Sequence, residues 1–357
     1  MYTPYLEVDL EAIRFNTRRL KAMCEANGVE ITFVTKGFSA RPEIVGAVRE
    51  CGIGSFADSR IRNIIKVKKA YPDASYLLIR IPKLSEIPEL VEWVDYSLQS
   101  QIEVIRAVSD EAIRQGKVHK IILMMDVGDL REGVFGEEQL LEIAPQIMEC
   151  RGVELVGVAT NVGCYGSIMP SVENTAILAK YRDMLNERFG FHISIVSGGA
   201  TCATLLMEQG KLPGVVNSLR IGEAILFGED TTNYRTMDGF RTDAFTLCAE
   251  IVELKRKPSM PIGELGRDCC GNVNEYEDRG VRWRAICAVG KQDVKYDVLT
   301  PLLPGVELLG ASSDHLVLAV ENCAGAVRVG TVLRFRCGYM AVLTATTSPY
   351  VDVYFKN

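Results

Sequence analysis

Histidine is scarce in this chain. The 357 residues hold three, His119, His192 and His315. They share no metal-ligand spacing, so no metal site is expected. The eleven cysteines are an odd number and form no CxxC pair, although Cys269 and Cys270 are adjacent. Thiols spread thinly through a large chain fit a reducing cytoplasm better than a disulfide framework. A basic excess is also missing: 40 Lys and Arg stand against 46 Asp and Glu, a net charge of −6. Domains that grip polyphosphate carry such an excess, so nucleic acid is not an expected partner. No apolar run reaches the ~18 residues of a membrane span. The first ten residues have no basic stretch followed by an apolar core, so they do not read as a signal peptide. A cytoplasmic protein that acts on a small molecule is the reading left.

What is present is ordinary for a globular protein, with 48% hydrophobic and 24% charged residues arguing against disorder. The first ~225 residues repeat one theme, a short β-rich run followed by a helical stretch. Strand-like runs fall at 31–36, 55–59, 76–81, 94–98, 121–127, 155–160, 193–197 and 217–221. Helical stretches fall at 42–51, 60–70, 101–115, 137–150, 172–189 and 200–209. Pro42 suits a first helical position, where its missing N–H would be unpaired anyway. Eight alternations in ~200 residues predict a closed (β/α)8 barrel. An open doubly wound sheet is the competing fold, but the turn after the first strand lacks the Gly-rich fingerprint it usually needs.

Ahead of the first barrel strand, Leu10, Ile13, Leu20 and Cys24 share one helical face. The strand-like residues before them have no place in the barrel count, so they are expected to pair with a β-rich C-terminal region. That region begins after a polar stretch at 229–243 that reads as a linker. Strand-like runs follow at 245–254, 281–289, 306–309, 316–320, 332–335, 341–345 and 351–355, separated by turn residues. The polar segment 256–280 has no clear period and reads as a long loop. The expected organisation is an α/β chain, a barrel over residues 1–232 and a mostly β C-terminal domain over 233–357. The first ~10 residues would join the C-terminal domain.

Barrel active sites lie at the C-terminal ends of the strands. Lys36 closes the apolar run 31–36. It reads either as a Schiff-base lysine, its pKa lowered by burial, or as a solvated strand-end lysine. Arg131, after the fifth strand, reads either as a bidentate carboxylate clamp or as a rim ion pair with Asp126, Asp129 or Glu132. The seventh strand runs into Ser197-Gly-Gly-Ala-Thr201. Such a small-residue turn into a helix is either an anion site or an ordinary tight turn. Barrels commonly hold phosphate at this place. Arg220, inside the apolar eighth strand, requires a partner or a role, and Gly222 beside it permits close backbone approach. A carbonyl-reactive lysine, an anion turn and two arginines around one mouth suit pyridoxal 5'-phosphate.

The segments 5–16, 31–36, Asp126-Val-Gly-Asp-Leu-Arg-Glu-Gly133 and Leu219-Arg-Ile-Gly-Glu-Ala-Ile-Leu-Phe-Gly228 resemble the alanine racemase family. These are fold-type III pyridoxal-phosphate enzymes with a barrel and a β-domain. Arg80-Ile-Pro82, Gly290-Lys-Gln-Asp293, Ala311-Ser-Ser-Asp-His315 and Thr347-Ser-Pro-Tyr350 extend the likeness over nearly the whole chain, closest to the ornithine racemase branch. The resemblance implies that Lys36 holds the cofactor and moves a proton on one face. It implies that Arg131 lies near the cofactor phenolate and substrate carboxylate, and that Arg220 faces the ring nitrogen. Thr201, Gly222 and Tyr350 match phosphate ligands, with Ser197 and Gly198 in the same turn. Asp314 matches a substrate-side aspartate.

The family's opposite-face base is a tyrosine contributed by a partner subunit, which implies a head-to-tail homodimer with shared sites. Here Lys291 stands at that position. His315, beside Asp314, is the other proton carrier available near neutral pH. The choice between them stays open. Met124 replaces a lysine that many relatives carbamylate, so that modification is not expected. The implied activity is two-base racemisation of ornithine or a similar basic amino acid. The carboxylates of Asp126, Asp129, Glu132 and Glu223 are candidates for a distal ammonium, or else solvated rim charges. Other readings are an alanine or serine racemase and a fold-type III decarboxylase, whose Cys-Asp substrate motif is not seen. A non-catalytic pyridoxal-phosphate protein would lack the β-domain, and a metal-dependent aldolase would need ligands that are missing.

Overall fold

Eight parallel strands close on themselves around one hydrophobic interior. In the computed structural model, which describes residues 2–267, 271, 273 and 275–357, the chain divides into two units. One is Glu11–Thr242. The other joins the residues up to Leu10 with Asp243–Asn357. Cys269 and Cys270 lie outside the described residues.

The first unit begins with α1 (Leu10–Ala26). Its Ile13 and Leu20 are fully buried, and Leu10 and Cys24 nearly so. The barrel strands are β2 (Glu30–Val34), β3 (Ser55–Asp58), β4 (Ser75–Leu78), β5 (Tyr96–Gln99), β6 (His119–Asp126), β8 (Val153–Ala159), β9 (Ile195–Ser197) and β10 (Ser218–Ile221). The two-residue β7 (Val134–Phe135) pairs beside the end of β6. Neighbours run β5-β4-β3-β2-β10-β9-β8-β6, and a β5–β6 pairing closes the ring. Val34, Ala57, Leu77, Leu98, Ile122, Met124, Val156 and Ala159 form one interior cluster. Both faces of these strands are covered, which is why their sequences run apolar without alternation. At Gly157 an added Cβ would lie 2.8 Å from the Ile195 carbonyl oxygen, so β8 and β9 pack only around a bare backbone.

The covering helices are α2 (Pro42–Glu50), α3 (Ile61–Ala70), α4 (Ile87–Trp93), α5 (Ile102–Arg114), α6 (Gly136–Met148), α7 (Val172–Phe189), α8 (Thr204–Glu208) and α9 (Glu223–Phe227). Pro42 occupies the first turn of α2. Ser171 caps α7 in a reciprocal box with Asn174, and left-handed Gly190 ends it. The expected helix at 200–209 is split into a 3-10 turn, Thr201–Ala203, and α8.

The stretch read as a linker is instead folded with this unit. It forms a hairpin of β11 (Glu229–Asp230) and β12 (Arg235–Thr236). Fully buried Asp230 accepts from the Asn233 amide side chain at 2.6 Å and from Arg235 Nε at 3.2 Å. That buried, paired carboxylate is why a polar sequence forms ordered structure here.

In the second unit, β1 (Tyr5–Asp9) runs antiparallel to β13 (Phe245–Pro258) and parallel to β19 (Asp352–Lys356). The remaining strands are β14 (Val281–Cys287), β15 (Leu299–Pro301), β16 (Glu307–Ala311), β17 (Leu316–Ala319) and β18 (Val332–Cys337), in the order β15-β18-β13-β14-β17-β16. β13 extends to Pro258, so the long loop begins later than its polarity suggests. The run expected as a strand at 341–345 lies in a helix, α10 (Tyr339–Ala345). Its apolar residues are short and helix-compatible, and Ala341, Val342 and Ala345 are buried along one helical face. Among the described residues no helix is long and apolar enough to cross a membrane.

Candidate active site

β2 ends at Val34, two residues short of the expected strand end. Lys36 therefore opens a 3-10 turn, Lys36–Phe38, just beyond the strand. Its side chain is half-buried and makes no hydrogen bond or ion pair with the described residues. β10 lies between β2 and β9, with Arg220 opposite Thr32 and Ser218 opposite Ser197. Lys36, Ser197, Arg220 and Gly222 thus occupy the C-terminal ends of three adjacent strands. Gly222 presses against the Lys36 strand, since a Cβ there would lie 3.2 Å from the Val34 carbonyl oxygen.

Arg220 is almost fully buried. Its guanidinium donates to Ser197 Oγ at 2.5 Å and to the Thr160 carbonyl at 2.5 Å. Neither partner is charged, and among the described residues no carboxylate pairs with it. The alternative of a buried ion pair is therefore not what the strand builds. Burial pushes its pKa down to about 10. Thr201 Oγ1 accepts from Ala224 N at 3.3 Å, which ties the Ser197–Thr201 turn to the start of α9. The 229–236 hairpin holds the same turn from behind. Asn233 donates to the Cys202 carbonyl at 3.0 Å, and Arg235 pairs with Glu208 of α8.

Arg131 lies on the loop after β6. Its guanidinium binds both carboxylate oxygens of Glu132, the ion-pair alternative raised by the sequence. Burial works against the charge, but Glu132 outweighs it and holds Arg131 above its ordinary value. Cys164, on the loop after β8, also faces Arg131. The other acidic candidates act as loop anchors. Asp126 Oδ1 accepts from Gly128 N at 2.9 Å and Leu130 N at 3.1 Å. Buried Asp129 takes the amides of Gly163, Tyr165 and Ile168, clasping the Arg131 loop to the loop after β8. Glu223 is bonded to Thr231, and burial raises its pKa. Met124 is buried in the barrel interior with no polar role.

Asn161 belongs to this site, although the sequence reading passed over it. Its Nδ2 is buried without a hydrogen-bond partner. Asn161 stands just beyond the end of β8 and directly follows Thr160, whose carbonyl accepts from Arg220. A buried donor with no acceptor is costly unless a ligand satisfies it. The detectable signal was a polar residue just past a strand's C-terminal end, where barrel sites lie. An unpaired buried donor, a buried cation with neutral partners and a glycine kept bare form a set suited to an anionic, ring-bearing ligand next to a lysine.

The remaining candidates lie in the second unit, and the fold draws them together. The 290–293 segment lies against the turn joining β16 to β17. Lys291 N donates to the Ser312 carbonyl and Gln292 N to that of Ser313, both at 2.9 Å. Gly290 is required there, because a Cβ would lie 2.3 Å from Asp314 N. His315 Nδ1 lies 3.3 Å from Asp314 Oδ1, with both side chains exposed. Lys291 Nζ lies over the Tyr296 ring at 6.0 Å. Tyr350 joins the cluster through Ser348, whose hydroxyl accepts from Tyr350 N and donates to buried Asp293 at 2.7 Å.

Comparison with known proteins follows the same outline. A family model described as alanine racemase, N-terminal domain, matches residues 8–230. The chain is 44% identical over 357 residues to the lysine racemase of Thermotoga maritima, covering 100% of this chain and 99% of that one. It is 38% identical over 349 residues to the ornithine racemase of Acetoanaerobium sticklandii, covering 98% of each. The solved alanine racemase from Streptomyces lavendulae superposes with a TM-score of 0.77 at 18% identity, over 100% of this chain and 98% of that one. D-threonine aldolase from Filomicrobium marinum gives 0.73 at 16% identity, over 97% and 88%. At such identities the structural likeness speaks for the fold alone.

Proposed function

The chain belongs to the alanine racemase family, and from that premise we propose that it racemises a basic amino acid, lysine or ornithine, with pyridoxal 5'-phosphate held at Lys36. The observation that carries the cofactor assignment is the mouth of β2, β10 and β9. There the Lys36 side chain has no partner among the described residues and buried Arg220 meets only neutral groups, while just beyond the end of neighbouring β8 the Asn161 Nδ2 has no acceptor. The relatives named for lysine and ornithine support the substrate class.

Bound there, the cofactor supplies an electron sink that acidifies the α-hydrogen of the amino acid. Lys36 tethers it and carries a proton on one face. Arg220 is a buried cation, and it would keep a ring nitrogen placed beside it unprotonated, because a nearby positive charge disfavours a second one. A ring kept neutral in this way would be a weaker electron sink, which limits side reactions. Ser197, Gly198, Thr201 and Gly222 would hold the phosphate, and the family resemblance adds Tyr350 to that set. Arg131 would orient the substrate carboxylate, and Asp314, in the same turn as His315, takes the substrate-side role that the family resemblance gives it. The opposite-face proton carrier is His315 or Lys291, whose segments are hydrogen-bonded to each other. The family resemblance supplies the further reading that this pair serves a partner subunit's site in a head-to-tail homodimer.

The purified protein is expected to show visible absorbance from lysine-bound pyridoxal phosphate and to interconvert the enantiomers of lysine and ornithine faster than those of alanine. Lys36→Ala should abolish both absorbance and racemisation. Retention of both in that variant overturns the assignment, and a clear preference for alanine overturns the basic-substrate reading.

A further inference from the structure

The turn carrying Lys36 is held from behind by a buried polar network. Thr35, immediately before the lysine, is buried. Its hydroxyl donates to Asp58 Oδ2 at 2.6 Å, and its amide donates to the Ala57 carbonyl at 2.8 Å. Asp58, the last residue of β3, is fully buried. Its carboxyl also accepts from Arg60 N at 2.8 Å and from Asn63 Nδ2 at 3.2 Å. Burial raises its pKa against these donors. No lysine or arginine forms an ion pair with it among the described residues, although the Lys66 ammonium lies within electrostatic reach, so its direct partners are hydrogen-bond donors. Such a group is retained at a cost in desolvation.

The backbone beyond Lys36 is strained. Ser39 and Ala40 have φ of 53° and 49°, consecutive left-handed positions without glycine. Two further ties oppose this strain. Ala40 N donates to the Thr35 carbonyl at 3.1 Å, and Lys66 Nζ binds the Ser39 carbonyl. Asn63 and Lys66 both lie on α3. That one helix thus fixes the turn at both ends, through Asp58 and Thr35 before the lysine and through Ser39 after it.

We propose that Thr35 and Asp58 are positioning residues that set where the Lys36 amine stands. The inference rests on Lys36 being the cofactor lysine. Both would act through the backbone of the Lys36 turn. Releasing the Thr35 hydroxyl lets a strained turn relax, and small displacements of a reacting group cost rate steeply.

The test compares Thr35→Val and Thr35→Ser in the full-length enzyme loaded with pyridoxal phosphate. Thr35→Val should lower kcat about tenfold to a hundredfold with KM within about twofold. It should also shift the pH midpoint of the lysine-bound absorbance. Thr35→Ser, which keeps the donor, should restore both. Asp58→Asn should reproduce the spectral shift if it folds, and Thr35→Val carries the test if it does not. A Thr35→Val enzyme with wild-type kcat and spectrum overturns the inference. So does a loss that only follows the fraction of folded protein, or one that Thr35→Ser shares. Native enzyme lacking the Lys36-dependent absorbance would overturn the functional reading itself, a separate outcome.

Discussion

Lowering the pH should weaken this fold through one histidine. His119 opens β6 and is buried. Its Nε2 lies 3.0 Å from Ser97 Oγ, which accepts a hydrogen bond from Gln99 Nε2 at 2.8 Å. The Ser97 hydroxyl has one proton, and Gln99 takes up one of its lone pairs. A second lone pair is left, so the Ser97–His119 bond runs in either direction with the imidazole tautomer, and both neutral tautomers satisfy it. Burial pushes the His119 pKa down from 6.5 to about 4. In the folded chain it is neutral where the unfolded chain has already bound a proton. The unfolded state then binds more protons, so stability rises with pH across this window and falls as pH drops from about 6.5 towards 4. A tenfold difference in proton affinity is worth about 1.4 kcal/mol, giving a loss of about 2 kcal/mol by pH 5 and about 3 kcal/mol in all. His119→Gln keeps an acceptor for Ser97 and cannot titrate. Urea unfolding of the two proteins at pH 7.5 and pH 5 should show the wild type losing about 2 kcal/mol more than the variant. With three histidines in the chain, the His119 ring proton can be assigned by its loss in the variant and titrated directly by NMR. Parallel stability curves, or a His119 midpoint near 6.5, would refute the reasoning.

Two further outcomes concern the second unit. Replacing the true opposite-face base, by His315→Gln or Lys291→Met, should stop racemisation while one enantiomer still exchanges its α-hydrogen with deuterated solvent. The other substitution should cost less than about tenfold, and full racemase activity in both variants would exclude the pair. Gly290→Ala should separate the 290–293 segment from the Ser312–His315 turn, since the clash is with the backbone around Asp314. A stability loss of about 1–3 kcal/mol in a thermal melt is expected, and an unchanged melting temperature would contradict the packing.

Much of the barrel was legible because its signals are local. Buried parallel strands read as short apolar runs, and amphipathic helices repeat at their own period. The segments around Lys36, Ser197–Thr201 and Arg220 stood out because strand ends and a small-residue turn mark a barrel's working face. Local signals failed where two conformations share one composition. The run at 341–345 has strand-like apolar content, and burial of Ala341, Val342 and Ala345 along one helical face decided for the helix. Polarity misled at 229–243, where Asp230 turns a polar run into a clamp on the Thr201 turn.

By itself the sequence determined the class of fold, the order of its elements and the chemical types set at the strand ends, all properties of neighbouring residues. The pairings were decided only by tertiary structure. The register of β10 between β2 and β9 sets Arg220 and Gly222 beside the lysine strand. Backbone bonds join Lys291 to the His315 turn across some twenty intervening residues. Asp58 reaches Thr35 over 23 positions. Such contacts form because a closed barrel and a folded sheet bring distant segments within hydrogen-bond range, and no local periodicity encodes that distance.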